Sequence, residues 1–107
     1  MDFNINGKAF KGKLGLSFLE LATISEKKTL QELFNDFEQN ALFMIPKLIR
    51  YSILNAGGEI DLNYIYDWID EVGINDKEVT KFIEAFTRSI QVHFPPEKTG
   101  NVKKQKK

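Results

Sequence analysis

The sequence predicts an α+β fold, mostly α, in which an N-terminal antiparallel β-hairpin is followed by about five helices and a disordered C-terminal tail. Three observations carry this prediction. Asn6-Gly7 stands between short alternating apolar runs, and an Asn-Gly pair supplies the two positive-φ residues of a type I′ hairpin turn. Three helix-start signatures of the Ser/Thr/Asn-x-x-Glu kind recur downstream, each opening a segment with apolar residues at helical spacing. Beyond Pro95-Pro96 the chain is rich in lysine and nearly free of large apolar residues, too poor in apolar surface to offset the entropy of ordering it.

Counting outward from the turn pairs Ile5 with Lys8, Asn4 with Ala9 and Phe3 with Phe10. Phe3, Ile5, Phe10 and Leu14 then share a face that other elements must cover, because an isolated hairpin is marginal. Ser17 to Glu20 reads as a capping box with Leu16 and Leu21 as a hydrophobic staple, opening a short helix to about Ser25. Thr29 to Glu32 reads as a second box, followed by the stripe Leu30, Leu33, Phe34 and Phe37. From Asn40 to Ala56 the chain is apolar on most sides, with Gly57-Gly58 as its stop. Pro46 either opens a helix here or kinks one starting near Ala41, and the preference of proline for the first helical position favours a helix from Pro46 to Ala56. Asp61 is placed to cap a helix with the stripe Leu62, Ile65, Ile69 and Val72, ended by Gly73 as a left-handed cap. Asn75 to Glu78 resembles a further cap, with Ile74 and Val79 as a staple. The last helix carries Val79, Phe82, Ile83, Phe86 and Ile90 and must end before Pro95, which has no N–H to donate.

The domain reading is one hairpin-plus-helical body over residues 1–94 and a flexible lysine-rich tail over 95–107. The formal net charge is zero, but it is unevenly placed. The tail holds five lysines and one glutamate, leaving ten basic and fourteen acidic residues in the body. Absence of cysteine excludes disulfides and thiolate metal sites. The N-terminus lacks a signal-peptide pattern, and no apolar run approaches the ~20 residues that span a bilayer, so the sequence predicts a cytoplasmic-type protein.

No catalytic, cofactor or metal signature is found, and the chain is read as not an enzyme. Asp67 to Glu78 has the length of a calcium loop, but Ile69 falls on a ligand position and the glycine is one residue late. His93 is the single histidine, so no histidine-paired nucleophile or multi-histidine metal site forms within one chain, and its place at a helix C-terminus suits capping. Asp67, Asp70 and Glu71 could pair as carboxylates, but acid–base work also needs a pocket and contrasting environments. The lysine tail has no aromatic residue for stacking and joins an acidic body, which argues against nucleic acid. Two features point to protein binding instead. Tyr64 and Trp68 are i, i+4 neighbours on a face turned away from the Leu62–Ile65–Ile69 stripe, where they either widen the core or anchor a partner. Leu42, Phe43, Met44 and Ile45 make one segment apolar all round, as in a helix central to a core or covered by a partner. Leu42, Phe43, Met44, Tyr64 and Trp68 are therefore the candidate protein-binding or self-association residues.

The run Ile5-Asn6-Gly7-Lys8-Ala9-Phe10-Lys11-Gly12-Lys13, then Phe18-Leu19-Glu20-Leu21, then a helical body with a lysine-rich end, resembles the small tail assembly chaperones of long-tailed phages of Gram-positive bacteria. The resemblance spans nearly the whole chain and rests on a diffuse pattern. It implies a chaperone that coats helical segments of the tape measure protein during tail morphogenesis. It also implies self-association into a homo-oligomer, contact with the tail tube protein, a place in the host cytoplasm and absence from the mature virion. Many such chaperones are also made in a longer form by ribosomal frameshifting, and Lys103-Lys104 and Lys106-Lys107 are compatible with adenine-rich slippery codons. Pro46 and the apolar run Leu42–Ile45 depart from the family's pattern. The competing class is a small regulatory adaptor or antitoxin-like protein-binding module.

Overall fold

The computed structural model describes residues 1–93 and, of His93, the backbone only; the expectations for the tail and for the His93 side chain fall outside the described residues. The element order is β1 (Asp2–Ile5), β2 (Lys8–Lys11), α1 (Leu16–Glu26), α2 (Leu30–Gln39), α3 (Ala41–Asn55), α4 (Leu62–Val72) and α5 (Lys77–His93). A two-stranded antiparallel hairpin precedes five helices, as the sequence predicts.

The hairpin register is the one counted from the turn, with Ile5 opposite Lys8, Asn4 opposite Ala9 and Phe3 opposite Phe10. Asn6 and Gly7 both take positive φ, 55° and 81°, as the primed turn requires. Phe3 and Ile5 are buried, and Phe10 and Leu14 pack on the core at its edge. Two elements far along the chain supply the cover. The Phe3 ring lies 5.8 Å from that of Phe82 on α5, and the Asn4 amide donates to Glu78 Oε1 at 2.9 Å. On the other side Lys13 N donates to the carbonyl of Ser52 on α3 at 2.9 Å.

α3 is the centre of the body. It contacts α1, α2, α4 and β2, and Met44 to Pro46, Leu48, Ile49 and Tyr51 to Ile53 are buried. The helix starts at Ala41 with Pro46 inside it, so the expected start at Pro46 is corrected. Proline in a helix interior costs about 3 kcal/mol, since its missing N–H leaves the carbonyl four residues back unserved. Here the ring is itself fully buried, and its neighbours Met44 and Ile45 are 3% and 2% exposed. Burial of each such side chain returns about 1.5–3 kcal/mol, enough to carry the helix through the proline.

The helix ends follow the sequence in part. Thr29 and Glu32 make the full reciprocal capping box, at 3.1 and 2.9 Å. Asp61 Oδ1 accepts from Asn63 N at 3.0 Å. The box expected at Ser17 does not form. α1 starts two residues earlier, capped by Gly15, Leu16 is left exposed rather than stapled, and the Ser17 hydroxyl accepts instead from Asn55 Nδ2 at 2.9 Å. The last cap is also shifted by one residue: Asp76 rather than Asn75 takes an amide of the first turn of α5, that of Glu78, because the Glu78 side chain is committed to Asn4. Gly73 has the expected positive φ of 87°, but its ψ of 159° is extended, so the cap is not of the left-handed helical type. α5 closes the core with an aromatic column. Phe86 meets Phe82 at 6.0 Å, Phe18 at 5.9 Å and Phe37 at 4.9 Å, joining α5 to α1 and α2. Tyr51 donates to the Glu26 carboxylate, and burial followed by that bond raises its pKa well above the ordinary phenol value.

Gly12 marks the closest approach of hairpin and α3. A Cβ there would sit 2.6 Å from Phe3 Cε2 and 2.9 Å from Ser52 Oγ. Gly12→Ala is expected to destabilise the protein by about 1–3 kcal/mol in urea unfolding through overpacking. A loss under about 0.5 kcal/mol would mean that the Phe3 ring yields freely.

Glu78 gives a pH test. The Asn4 backbone amide, the largest cause, holds its carboxyl below its ordinary value of 4.5; burial, the next largest, pushes the other way, and Lys81, with its Nζ 3.1 Å away, adds to the lowering. A lowered carboxyl pKa contributes stability that is present above the unfolded value and lost as the pH falls through the folded one. Glu78→Gln keeps an acceptor for Asn4 but loses this dependence. Its melting temperature should decline less than that of the parent protein between pH 5 and 3, a difference worth under about 1 kcal/mol because solvent screens the charge. Parallel pH profiles for the two proteins would contradict the assignment.

Candidate protein-binding site

α3 outruns its cover at its N-terminal end. Asn40 breaks the chain between α2 and α3 with φ −133° and ψ 44°, and its carbonyl accepts the amides of Phe43 and Met44 at 3.0 Å each. Met44 and Ile45 turn inward, while Leu42 and Phe43 are left 55% and 63% exposed. These two side chains form one lip of a groove of about 470 Å³, together with Pro46. α4 forms the other lip with Tyr66, Ile69 and Asp70. Both walls use helical spacing, i, i+1, i+4 on α3 and i, i+3, i+4 on α4, so each lip is one face of its helix. The lining is apolar except for Asp70 and the Tyr66 hydroxyl. Asp67 and Glu71, exposed on either side of Asp70 in the sequence, make this flank of α4 acidic.

The five residues singled out from the sequence separate into two groups. Leu42 and Phe43 are surface residues and meet in the groove. Met44 is a core residue, and Trp68 is 4% exposed, so of its two readings the core one holds. Tyr64 is half-buried and works internally: its hydroxyl donates to the carbonyl of Ile5 at 3.3 Å and its ring stands 6.4 Å from Phe10, tying α4 to the hairpin. Tyr64 and Trp68 thus widen the buried face of α4. Sequence reasoning missed Tyr66. Its signal was present, since Tyr66, Ile69 and Asp70 share one face of α4, but the flanking aromatics Tyr64 and Trp68 drew attention to the opposite one.

Among the described residues no group of three or more His, Cys, Asp or Glu is arranged to hold a metal ion. The two shifted groups, Tyr51 and Glu78, owe their shifts to burial and to structural hydrogen bonds, and neither lines the groove. No described helix is long and apolar enough to cross a membrane. Comparison of the chain with protein-family models, curated proteins and solved structures finds no match.

The division between surface and core has a direct test. Phe43→Ser should change the unfolding free energy by under about 0.5 kcal/mol, as exposed positions do. Trp68→Ala should cost about 3–5 kcal/mol, as removal of a buried aromatic does. Comparable losses in the two variants would place Phe43 in the core of the folded monomer and remove it from the site.

Proposed function

We propose that the chain is a non-enzymatic tail assembly chaperone that receives amphipathic helical segments of a tape measure protein in the groove between α3 and α4. The observation that carries this reading is the pair Leu42 and Phe43, large apolar side chains held in solvent at the lip of an apolar groove. Exposed apolar groups of this size rimmed by polar ones mark protein-interaction surfaces, and a groove between two helices suits a third helix presenting anchors at i, i+3 and i+4. The acidic flank of α4 favours a helix with lysine or arginine beside its apolar stripe, by steering and by rejecting acidic competitors more than by added affinity. The resemblance in the N-terminal run, from Ile5 to Lys13, supports the assignment to phage tail assembly. Self-association through the same lip, Leu42 against the groove of a neighbouring copy, belongs to this reading, as does the longer frameshifted form.

Genome context gives the cheapest check. The reading expects a very long, helix-rich reading frame immediately downstream, whereas a toxin gene there would favour the antitoxin-like alternative. Co-expression with that long protein should raise its soluble fraction several-fold. The double variant Leu42→Glu/Phe43→Glu should abolish the gain while leaving the helical circular dichroism spectrum unchanged. An unchanged soluble fraction with the parent chaperone would refute the proposal.

A further inference from the structure

The two edges of the hairpin are treated differently. In this register residues 3, 5, 8 and 10 bond across the pair, and residues 2, 4, 9 and 11 turn their backbone groups outward. The outward amide of Asn4 on β1 is taken by Glu78. On β2 the outward parity continues to Lys13, whose amide is taken by Ser52 on α3. Ala9 and Lys11 lie between the turn and that closure, both exposed, and their outward N–H and C=O groups bond to nothing among the described residues. An open edge of this kind is a template for another strand, and proteins ordinarily cover it.

There is room beside it. A hollow of about 390 Å³ runs along β2, with Ile53 and the Ala56–Glu59 loop as its far wall. It adjoins a second hollow of about 710 Å³, with which it shares Lys8, Phe10 and Glu59, and to which Leu54, Ile60 and Tyr64 add apolar surface. The charge along the edge is one-sided. From Lys8 to Lys13 the strand and its continuation carry three lysines and no acidic residue, and the near hollow is lined by two lysines against one glutamate.

We propose that the free edge of β2 is a docking strand for an extended, acidic segment of a partner protein, which joins the hairpin as a third strand. Backbone bonds to Ala9 and Lys11 supply the attachment, and side chains at alternate positions supply the selection. In antiparallel pairing, partner residues opposite Lys11 and Lys8 are acidic, and the residue opposite Phe10 is apolar and enters the hollow beside Leu54. A second copy of this chain is the poorer occupant, because pairing β2 with β2 gathers four lysines at one seam. This surface shares no residue with the α3–α4 groove, so the two sites fail or stand separately.

The test uses the full chain and two synthetic peptides, one centred on Glu-Val-Thr-Glu and the other on Lys-Val-Thr-Lys. The acidic peptide should bind at least about tenfold more tightly, a gap that narrows as salt is added, and should slow amide exchange at Ala9 and Lys11. Ala9→Pro removes only an outward N–H, a position where an edge strand tolerates proline, and should weaken binding at least about tenfold while the hairpin amides stay protected. Lys8→Glu/Lys11→Glu should invert the preference between the peptides, and this arm stands even if the proline variant does not fold. Equal binding of the two peptides, absence of exchange protection at Ala9 and Lys11, or a folded Ala9→Pro variant that binds normally would each overturn the proposal. Concentration-dependent self-association that Ala9→Pro abolishes would assign the edge to a second copy and overturn it as well.

Discussion

Everything else in this body is arranged around the need to bury α3. A fifteen-residue helix that is apolar on most sides cannot lie on a surface, so each neighbour serves as a wall for it: α1, α2, α4 and β2 all pack against it. The polar exceptions on α3 confirm the constraint. Ser52, its one fully buried polar side chain, turns its hydroxyl back to the carbonyl of Ile49 at 2.7 Å, while its own carbonyl serves Lys13. Arg50 escapes to the rim, where its Nε donates to the carbonyl of Ile60. A core element this demanding uses up the cover available in a chain of this length, and the shortfall appears at the first turn as Leu42 and Phe43.

What could be read from the sequence followed the range of the forces involved. The hairpin register was legible because Asn6-Gly7 fixes it locally, and the box at Thr29 was legible because both partners lie within four residues. Failures arose where a distant group outbid a local one. Ser17 gave up its expected cap because Asn55, at the far end of α3, reaches its hydroxyl, and Glu78 left its own helix end to take the Asn4 amide. Pro46 misled for the same reason in reverse: its local preference is for a helix start, and only the burial on both sides of it overrides that preference.

The candidate site was half legible. Composition marked the Leu42–Ile45 run as too apolar for its surroundings, but a helix apolar on all sides gives no phase, so sequence could not say that residues 42 and 43 face out while 44 and 45 face in. For α4 the phase was available and the aromatic bias misdirected it, since Tyr64 and Trp68 proved to be internal ties and Tyr66 the residue at the groove.

The bond between Asn4 and Glu78, with the Phe3–Phe82 contact beside it, spans 74 residues of chain. On a ribosome the hairpin emerges well before α5, so neither this bond nor this ring contact can form until the start of α5 has been made. The nascent chain therefore passes through an interval in which Phe3 lacks its partner on α5 and the outer edge of β1 is open. Translation speed across residues 14–78 sets the length of that exposure, and a slow stretch of codons there would favour capture of the hairpin by a neighbouring nascent chain before its own last helix arrives.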